Sequence, residues 1–194
     1  MKLVLASKSR ARIDMLRAAG LEFETFPADL DEGKVLQGKG LTPEDSALFL
    51  AQQKALVVSS KKPGDLIVGA DQVLECGGRI LFKAEGEDDA QEKLKFLRSK
   101  THRLISAVCA VQDGKILWSA TKNAHLSMRH FDDEFLKRYC EKAGPALTRS
   151  VGAYELESFG VQLFERVEGD YFTILGLPLL PLLAYLRDRH GIGL

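Results

Sequence analysis

No stretch of this sequence runs uncharged for long enough to cross a bilayer. The longest, between Asp170 and Arg187, is shorter than the roughly 18 residues a spanning helix needs, and Pro178 and Pro181 interrupt it. No membrane partner is expected. Neither sign of charge is in surplus, with 27 Lys plus Arg against 27 Asp plus Glu. A dedicated nucleic-acid binder carries a basic excess, so no nucleic-acid partner is expected either. Cysteine is scarce: Cys76, Cys109 and Cys140 stand far apart, odd in number and without CxxC spacing. They read as reduced, structural thiols of a cytoplasmic protein. His102, His125, His130 and His190 show neither HxxxH nor HxH spacing, which gives no zinc site. There is no GxxxxGK[ST] and no GxSxG, so neither a P-loop enzyme nor an α/β-hydrolase is indicated. At the N-terminus the chain reaches a basic stretch within a few residues, whereas a secretory signal sets positive charge before a longer apolar run, and export is not expected.

What is present suits a self-sufficient core. The chain has 194 residues, 45% hydrophobic and 28% charged. Such a length buries a sizeable core without disulfides and is expected to form a single domain over 1–194. Lys2 to Ala6 reads as a buried strand, Ser7-Lys8-Ser9 as a polar turn, and Arg10 to Gly20 as a helix with apolar Ile13, Leu16 and Ala19. Leu21 to Phe26 reads as a second strand, followed by a loop. Thr42-Pro43-Glu44-Asp45 opens a helix that runs to about Ser59, with Thr as cap, Pro at the first position and acids in the first turn.

Leu66 to Ala70 is a buried-type strand that ends in Asp71. Gln72 to Glu75 and Arg79 to Phe82 flank Gly77-Gly78 as a hairpin, and a helix covers Asp88 to Leu97. Asp113-Gly114 joins two further strands. Asp132 to Ala143 is helical, Tyr171 to Leu175 is expected to be a strand, and Pro178 to Arg189 is a closing helix. Strands and helices interleave, with hairpins in the middle. This predicts an α/β fold with a mixed central sheet flanked by helices.

Several residues have the character of a phosphate site. Ser7-Lys8-Ser9-Arg10-Ala11-Arg12 sets two hydroxyls and three cations at a strand-to-helix turn, where backbone N–H groups favour anions. Asp71 follows five apolar residues, the position at which α/β proteins offer ligand and catalytic groups. Glu32 lies in the acidic loop Asp29-Leu30-Asp31-Glu32, of a kind that suits Mg²⁺. Taken alone, Lys54 and Lys83 read as surface lysines.

In this order the segments resemble the Maf family of nucleoside triphosphate pyrophosphatases. The likeness runs from Leu5-Ala6-Ser7-Lys8-Ser9 with Arg12, through Asp29-Leu30-Asp31-Glu32 and Leu50-Ala51-Gln52-Gln53-Lys54-Ala55, to Val68-Gly69-Ala70-Asp71-Gln72-Val73 and Lys83. It ends in Gly160-Val161-Gln162-Leu163-Phe164-Glu165 and Gly176-Leu177-Pro178-Leu179. Arg10, Ala11 and Ala84 depart from the family pattern, which has Pro, Arg or Trp, and Pro there.

The resemblance implies two lobes around a deep nucleotide-binding cleft, a Maf- or ITPase-like fold, and often a homodimer. It implies attack of water at the α-phosphorus with release of pyrophosphate. Asp71 would be the proton acceptor or a ligand of a divalent cation, Mg²⁺ or Mn²⁺, with Glu32 as a second metal-side carboxylate. Ser7, Arg12, Lys54 and Lys83 would hold the triphosphate. Ala11, Gln72 and Glu157 fall at positions that bear on base choice. Gln72 and Glu157 resemble the subgroup acting on 7-methyl-GTP. A carboxylate accepts from the two adjacent donors of guanine, and a cationic base strengthens that pairing. Two other readings compete: a non-catalytic nucleotide-binding regulator of cell division, and a hydrolase of inosine-type triphosphates.

Overall fold

The computed structural model describes residues 1–193, which divide into two compact units interleaved along the chain. Unit 1 holds Met1–Gln72, Ile105–Lys122 and residues 171–193; unit 2 holds Val73–Leu104 and Asn123–Asp170. In unit 1, strand β1 (Leu3–Leu5) is followed by helix α1 (Arg10–Ala18). The short strand β2 (Glu24–Thr25), helix α2 (Glu32–Leu36) and helix α3 (Pro43–Ser59) come next. Strand β3 (Leu66–Cys76) leaves unit 1 after Gln72. β1 runs parallel to both β2 and β3, with Leu3, Val4 and Leu5 opposite Leu66, Ile67 and Val68.

α3 begins as the sequence requires. The Thr42 side chain accepts from Asp45 N–H, and Pro43 occupies the first turn. Its inner stripe, Ala47, Leu50, Ala51, Ala55 and Val58, is buried. The core of unit 1 also gathers Leu3, Leu5, Met15, Leu16, Val68, Ala70, Val108 and Ala110 with Leu177, Leu179, Leu182 and Leu186. The last three of these lie on the closing helix.

Unit 2 contains strand β4 (Arg79–Leu81), which pairs antiparallel with the end of β3 across Gly77-Gly78, and helix α4 (Glu87–Leu97). Strands β5 (Thr101–Gln112) and β6 (Lys115–Met128), whose stretch Ile105–Lys122 belongs to unit 1, are joined by Asp113-Gly114, both at positive φ as a tight hairpin turn demands. Helix α5 (Asp133–Ala143), helix α6 (Ala146–Arg149) and a 3-10 turn (Phe159–Leu163) lead to strand β7 (Phe164–Glu168), antiparallel to β6. Helix α7 (Tyr171–Ile174) and helix α8 (Leu179–His190) return to unit 1. The seven strands form one sheet in the order β2-β1-β3-β5-β6-β7, with β4 beside β3. This is the α/β class with a mixed sheet.

Three expectations change. Leu21 to Phe26 supplies only two strand residues, and the loop after it contains α2. Asp71 does not end its strand: β3 continues to Cys76 because its second half pairs with β4. Tyr171 to Leu175 is a helical turn, not a strand. All three cysteines are free and buried, and burial pushes Cys109 to about 12 and Cys140 to about 11, which suits structural thiols. Among the described residues no helix is long and apolar enough to cross a membrane.

Candidate active site

The alternation of β3 distributes the chemistry of unit 1. Successive strand side chains point to opposite faces. Gly69 and Asp71 face α3, whereas Ala70 packs in the core and Gln72 reaches the turn at α7. A Cβ at Gly69 would run into the carbonyl oxygen of Ala51 and the Cβ of Ala55. Glycine there lets α3 settle against the strand, and Lys54, one residue before Ala55, meets Asp71.

Lys54 Nζ donates to Asp71 Oδ1 and, at 2.6 Å, to Glu32 Oε1. Lys54 and Asp71 are only 12% and 5% exposed in their side chains, while Glu32 at the start of α2 is 39% exposed. Asp71 Oδ2 is buried and has no hydrogen-bond partner. Burial raises the Asp71 carboxyl above its ordinary range; Lys54 and Arg12 oppose the shift, and Glu32 adds to it. A buried carboxylate oxygen without a partner is costly, and a proton, a water or a cation relieves it.

Arg12 lies on the inner stripe of α1 with Met15 and Leu16 and is itself buried. Its Nε donates to Gly176 O at 2.8 Å, and its Nη1 donates to Ala70 O at 2.9 Å and to Ser7 Oγ at 3.3 Å. Desolvation lowers its pKa, while Asp71 and Glu32 act in the opposite sense. Ser7, buried after β1, also accepts from Ser9 N–H at 3.2 Å. Ser7 and Arg12 form one polar group and Lys54, Asp71 and Glu32 another, and the bond from Arg12 to Ala70 O sets the first beside the residue that precedes Asp71. Ala11 is half-buried beside Arg12 on α1.

Gln72 is tied down more firmly than its type suggests. Its Nε2 donates to Ser106 Oγ, Thr173 O and Ile174 O, at 2.9 to 3.1 Å. Ser106 Oγ donates to Thr173 O as well, at 2.8 Å. These long-range bonds engage the carbonyls of the 171–176 turn, which is why that apolar, β-branched run does not extend into a strand. Nothing in the local sequence singles out Ser106 or Thr173. Both are buried polar residues in apolar surroundings, a signal visible only after the strands are placed.

Lys83 and Glu157 belong to unit 2. Lys83 is exposed two residues past β4. Glu157 sits in the segment between α6 and the 3-10 turn. Arg149 pairs with Glu155 at 3.2 Å, and Glu157 has no cationic partner among the described residues. Partial desolvation, with a smaller contribution from Glu155, raises its carboxyl. Among the described residues no three His, Cys, Asp or Glu side chains gather into a metal cage.

The family model for Maf-like proteins matches residues 2–189. The chain is 49% identical over 193 residues to a nucleoside triphosphate pyrophosphatase of Nitrobacter winogradskyi, covering 99% of this chain and 96% of that one. It is 50% identical over 194 residues to a 7-methyl-GTP pyrophosphatase of Brucella abortus, covering 98% of each. Among solved structures, a nucleoside-triphosphatase (dITP/XTP pyrophosphatase) from Mycobacterium abscessus is similar at 16% identity over 97% of this chain and 95% of that one, with a TM-score of 0.44. The match to the family model spans nearly the whole sequence, including every residue of both polar groups and the segment bearing Glu157, and on that ground the chain belongs to the family of Maf-like proteins.

Proposed function

We propose that this protein hydrolyses the α–β phosphate bond of a nucleoside triphosphate, with 7-methyl-GTP or a related modified nucleotide as substrate. The observation that carries the reading is the buried, unpartnered Asp71 Oδ2 beside an ammonium shared with Glu32. Water attacks the α-phosphorus and yields its proton to Asp71 Oδ2. The bond from the α-phosphorus to the bridging oxygen breaks, and pyrophosphate departs with the electron pair. Lys54 holds Asp71 in place and supplies positive charge to the phosphates. Arg12 adds charge from a fixed position, and Ser7 and Lys83 complete the phosphate contacts. Fixed charges of this kind provide much of the catalysis in phosphoryl chemistry because they need no reorganisation as the reaction proceeds.

Glu32 and Asp71 fit a divalent cation such as Mg²⁺ or Mn²⁺. They converge on one ammonium, and one oxygen of the pair lacks a partner. Two carboxylates, with water and phosphate oxygens, suit Mg²⁺, which is rarely held by a full protein cage. When bound, the cation neutralises phosphate charge and acidifies water.

Glu157, an acceptor with no cation of its own, reads the two adjacent donors of a guanine edge. Gln72 and Ala11 bear on base choice through their places beside the α7 turn and Arg12. Buried, unpaired cysteines suit a reducing cytoplasm. A homodimer is part of the same reading, and light scattering on the purified chain tests it.

The deciding experiment measures pyrophosphate release with Mg²⁺ or Mn²⁺ from 7-methyl-GTP, GTP, UTP, dTTP and ITP, for wild type, Asp71→Asn and Glu157→Gln. The expected result is activity on 7-methyl-GTP, a loss of at least about 100-fold in Asp71→Asn, and an altered nucleotide ranking in Glu157→Gln. Preference for ITP moves the substrate to the inosine class. A folded wild type inactive on every nucleotide overturns the enzyme in favour of a nucleotide-binding regulator.

A further inference from the structure

Unit 2 contains a buried imidazole that the proposed chemistry does not use. His102, near the start of β5, is almost wholly enclosed. Its Nε2 lies 2.6 Å from the hydroxyl of Tyr154, and its Nδ1 has no partner. Phe164 packs against both rings, at 5.9 Å from His102 and 4.8 Å from Tyr154 between centroids. An apolar residue would fill this place without stranding a ring nitrogen. The Tyr154 hydroxyl is therefore the one polar contact the histidine gains in exchange for its burial.

Tyr154 lies three residues before Glu157, and the segment around it is tightly determined. Tyr154 N–H donates to Ser150 Oγ at 2.9 Å, and the Tyr139 hydroxyl donates to Ala153 O at 3.2 Å. Ala153 takes φ 57°, a conformation that a residue with a Cβ adopts only when its surroundings hold it. A Cβ at Gly152 would strike the Tyr154 ring, and one at Gly160 would strike the backbone of Glu155. Ser158 N–H closes the bend by donating to Glu155 O at 3.2 Å. The Tyr154 side chain runs from this strained segment into the core and ends on His102. Glu157, by contrast, has no cation to hold it, so its position depends on the backbone that carries it.

We infer that His102, acting through Tyr154, is a positioning residue for base selection: it anchors the segment that presents Glu157. This rests on the reading of Glu157 as the base-contacting group. Neither His102 nor Tyr154 need touch the nucleotide.

The test uses the full chain with Mg²⁺ and compares wild type, Tyr154→Phe, His102→Leu and His102→Gln on 7-methyl-GTP, GTP and UTP, with thermal midpoints measured in parallel. Tyr154→Phe removes one hydroxyl and keeps the ring packing, so it folds even where His102→Leu does not. Tyr154→Phe is expected to raise KM for 7-methyl-GTP and to compress its preference over GTP by about three- to tenfold, the factor one net hydrogen bond supports. Its kcat stays within about twofold, because the reacting groups are untouched. His102→Gln, which retains a donor and an acceptor, recovers part of the preference that His102→Leu loses.

A lowered thermal midpoint with an unchanged nucleotide ranking in Tyr154→Phe overturns the positioning role and leaves a purely structural one. Glu157→Gln is assayed beside these variants. If it reorders the nucleotides and Tyr154→Phe does not, the inference fails alone. If neither does, the reading of Glu157 fails with it.

Discussion

Position 54 shows how a residue's partners decide its meaning. A lysine in the middle of a helix is ordinarily a surface residue. Here it falls in the stripe Ala47, Leu50, Ala51, Ala55 and Val58 and is carried inward to two carboxylates. The clue was in the sequence as a cation at apolar spacing, and the same holds for Arg12 beside Met15 and Leu16 on α1. Breaking a buried ion pair from one side leaves the other charge unpaired. Lys54→Met is expected to cost about 3–5 kcal/mol in urea denaturation. Lys54→Met combined with Asp71→Asn should recover part of that loss, because no buried carboxylate remains at position 71. A double variant as unstable as the sum of the singles would show that Lys54 and Asp71 do not depend on each other.

At the scale of elements, Gly69 governs the approach of α3 to β3. The sequence shows a glycine inside an apolar strand, which signals close backbone contact without naming the neighbour. The neighbour is the backbone of Ala51, a carbonyl that cannot swing aside as a side chain would. Gly69→Ala is expected to destabilise the fold by about 1–3 kcal/mol and to reduce activity together with it, since Asp71 lies two residues along the same face. Chemical denaturation and pyrophosphate release measured on one preparation check both effects. Full stability in this variant would mean that α3 shifts freely.

Helix ends were legible wherever a local signal marks them, as at Thr42-Pro43 and at Gly191 after α8. The 171–175 segment was not. Its aromatic and β-branched residues favour a strand, but Gln72, Ser106 and Arg12 claim the carbonyls of Thr173, Ile174 and Gly176.

For the whole molecule, the buried histidine sets a response to acid. Burial lowers His102 from 6.5 to about 4. The unfolded chain therefore takes up a proton near pH 6.5, whereas the folded chain resists until about pH 4. The stability that neutral His102 contributes is complete above the unfolded pKa and is lost as pH falls through this window. Its full span is about 3 kcal/mol, at about 1.4 kcal/mol per pKa unit. Urea midpoints measured from pH 7 to pH 4 should fall more steeply in wild type than in His102→Leu. Parallel slopes would assign the acid sensitivity to other groups.

By itself the sequence determined the α/β class, the main helices and hairpins, and the family. These follow from local periodicity, from caps and turns, and from ordered motifs. Only the tertiary structure decided that Arg12 spends its donors on carbonyls, that Gln72 fastens the α7 turn, that Asp71 keeps one oxygen unpaired, and that Tyr154 ends on a buried imidazole. Each of these depends on partners distant in the chain, 164 residues apart for Arg12 and Gly176 and 52 for His102 and Tyr154. Local pattern records which side of an element faces inward. It carries no record of which donor meets which acceptor, because that pairing is settled when burial forces each polar group to find a partner among whatever else the fold has brought there.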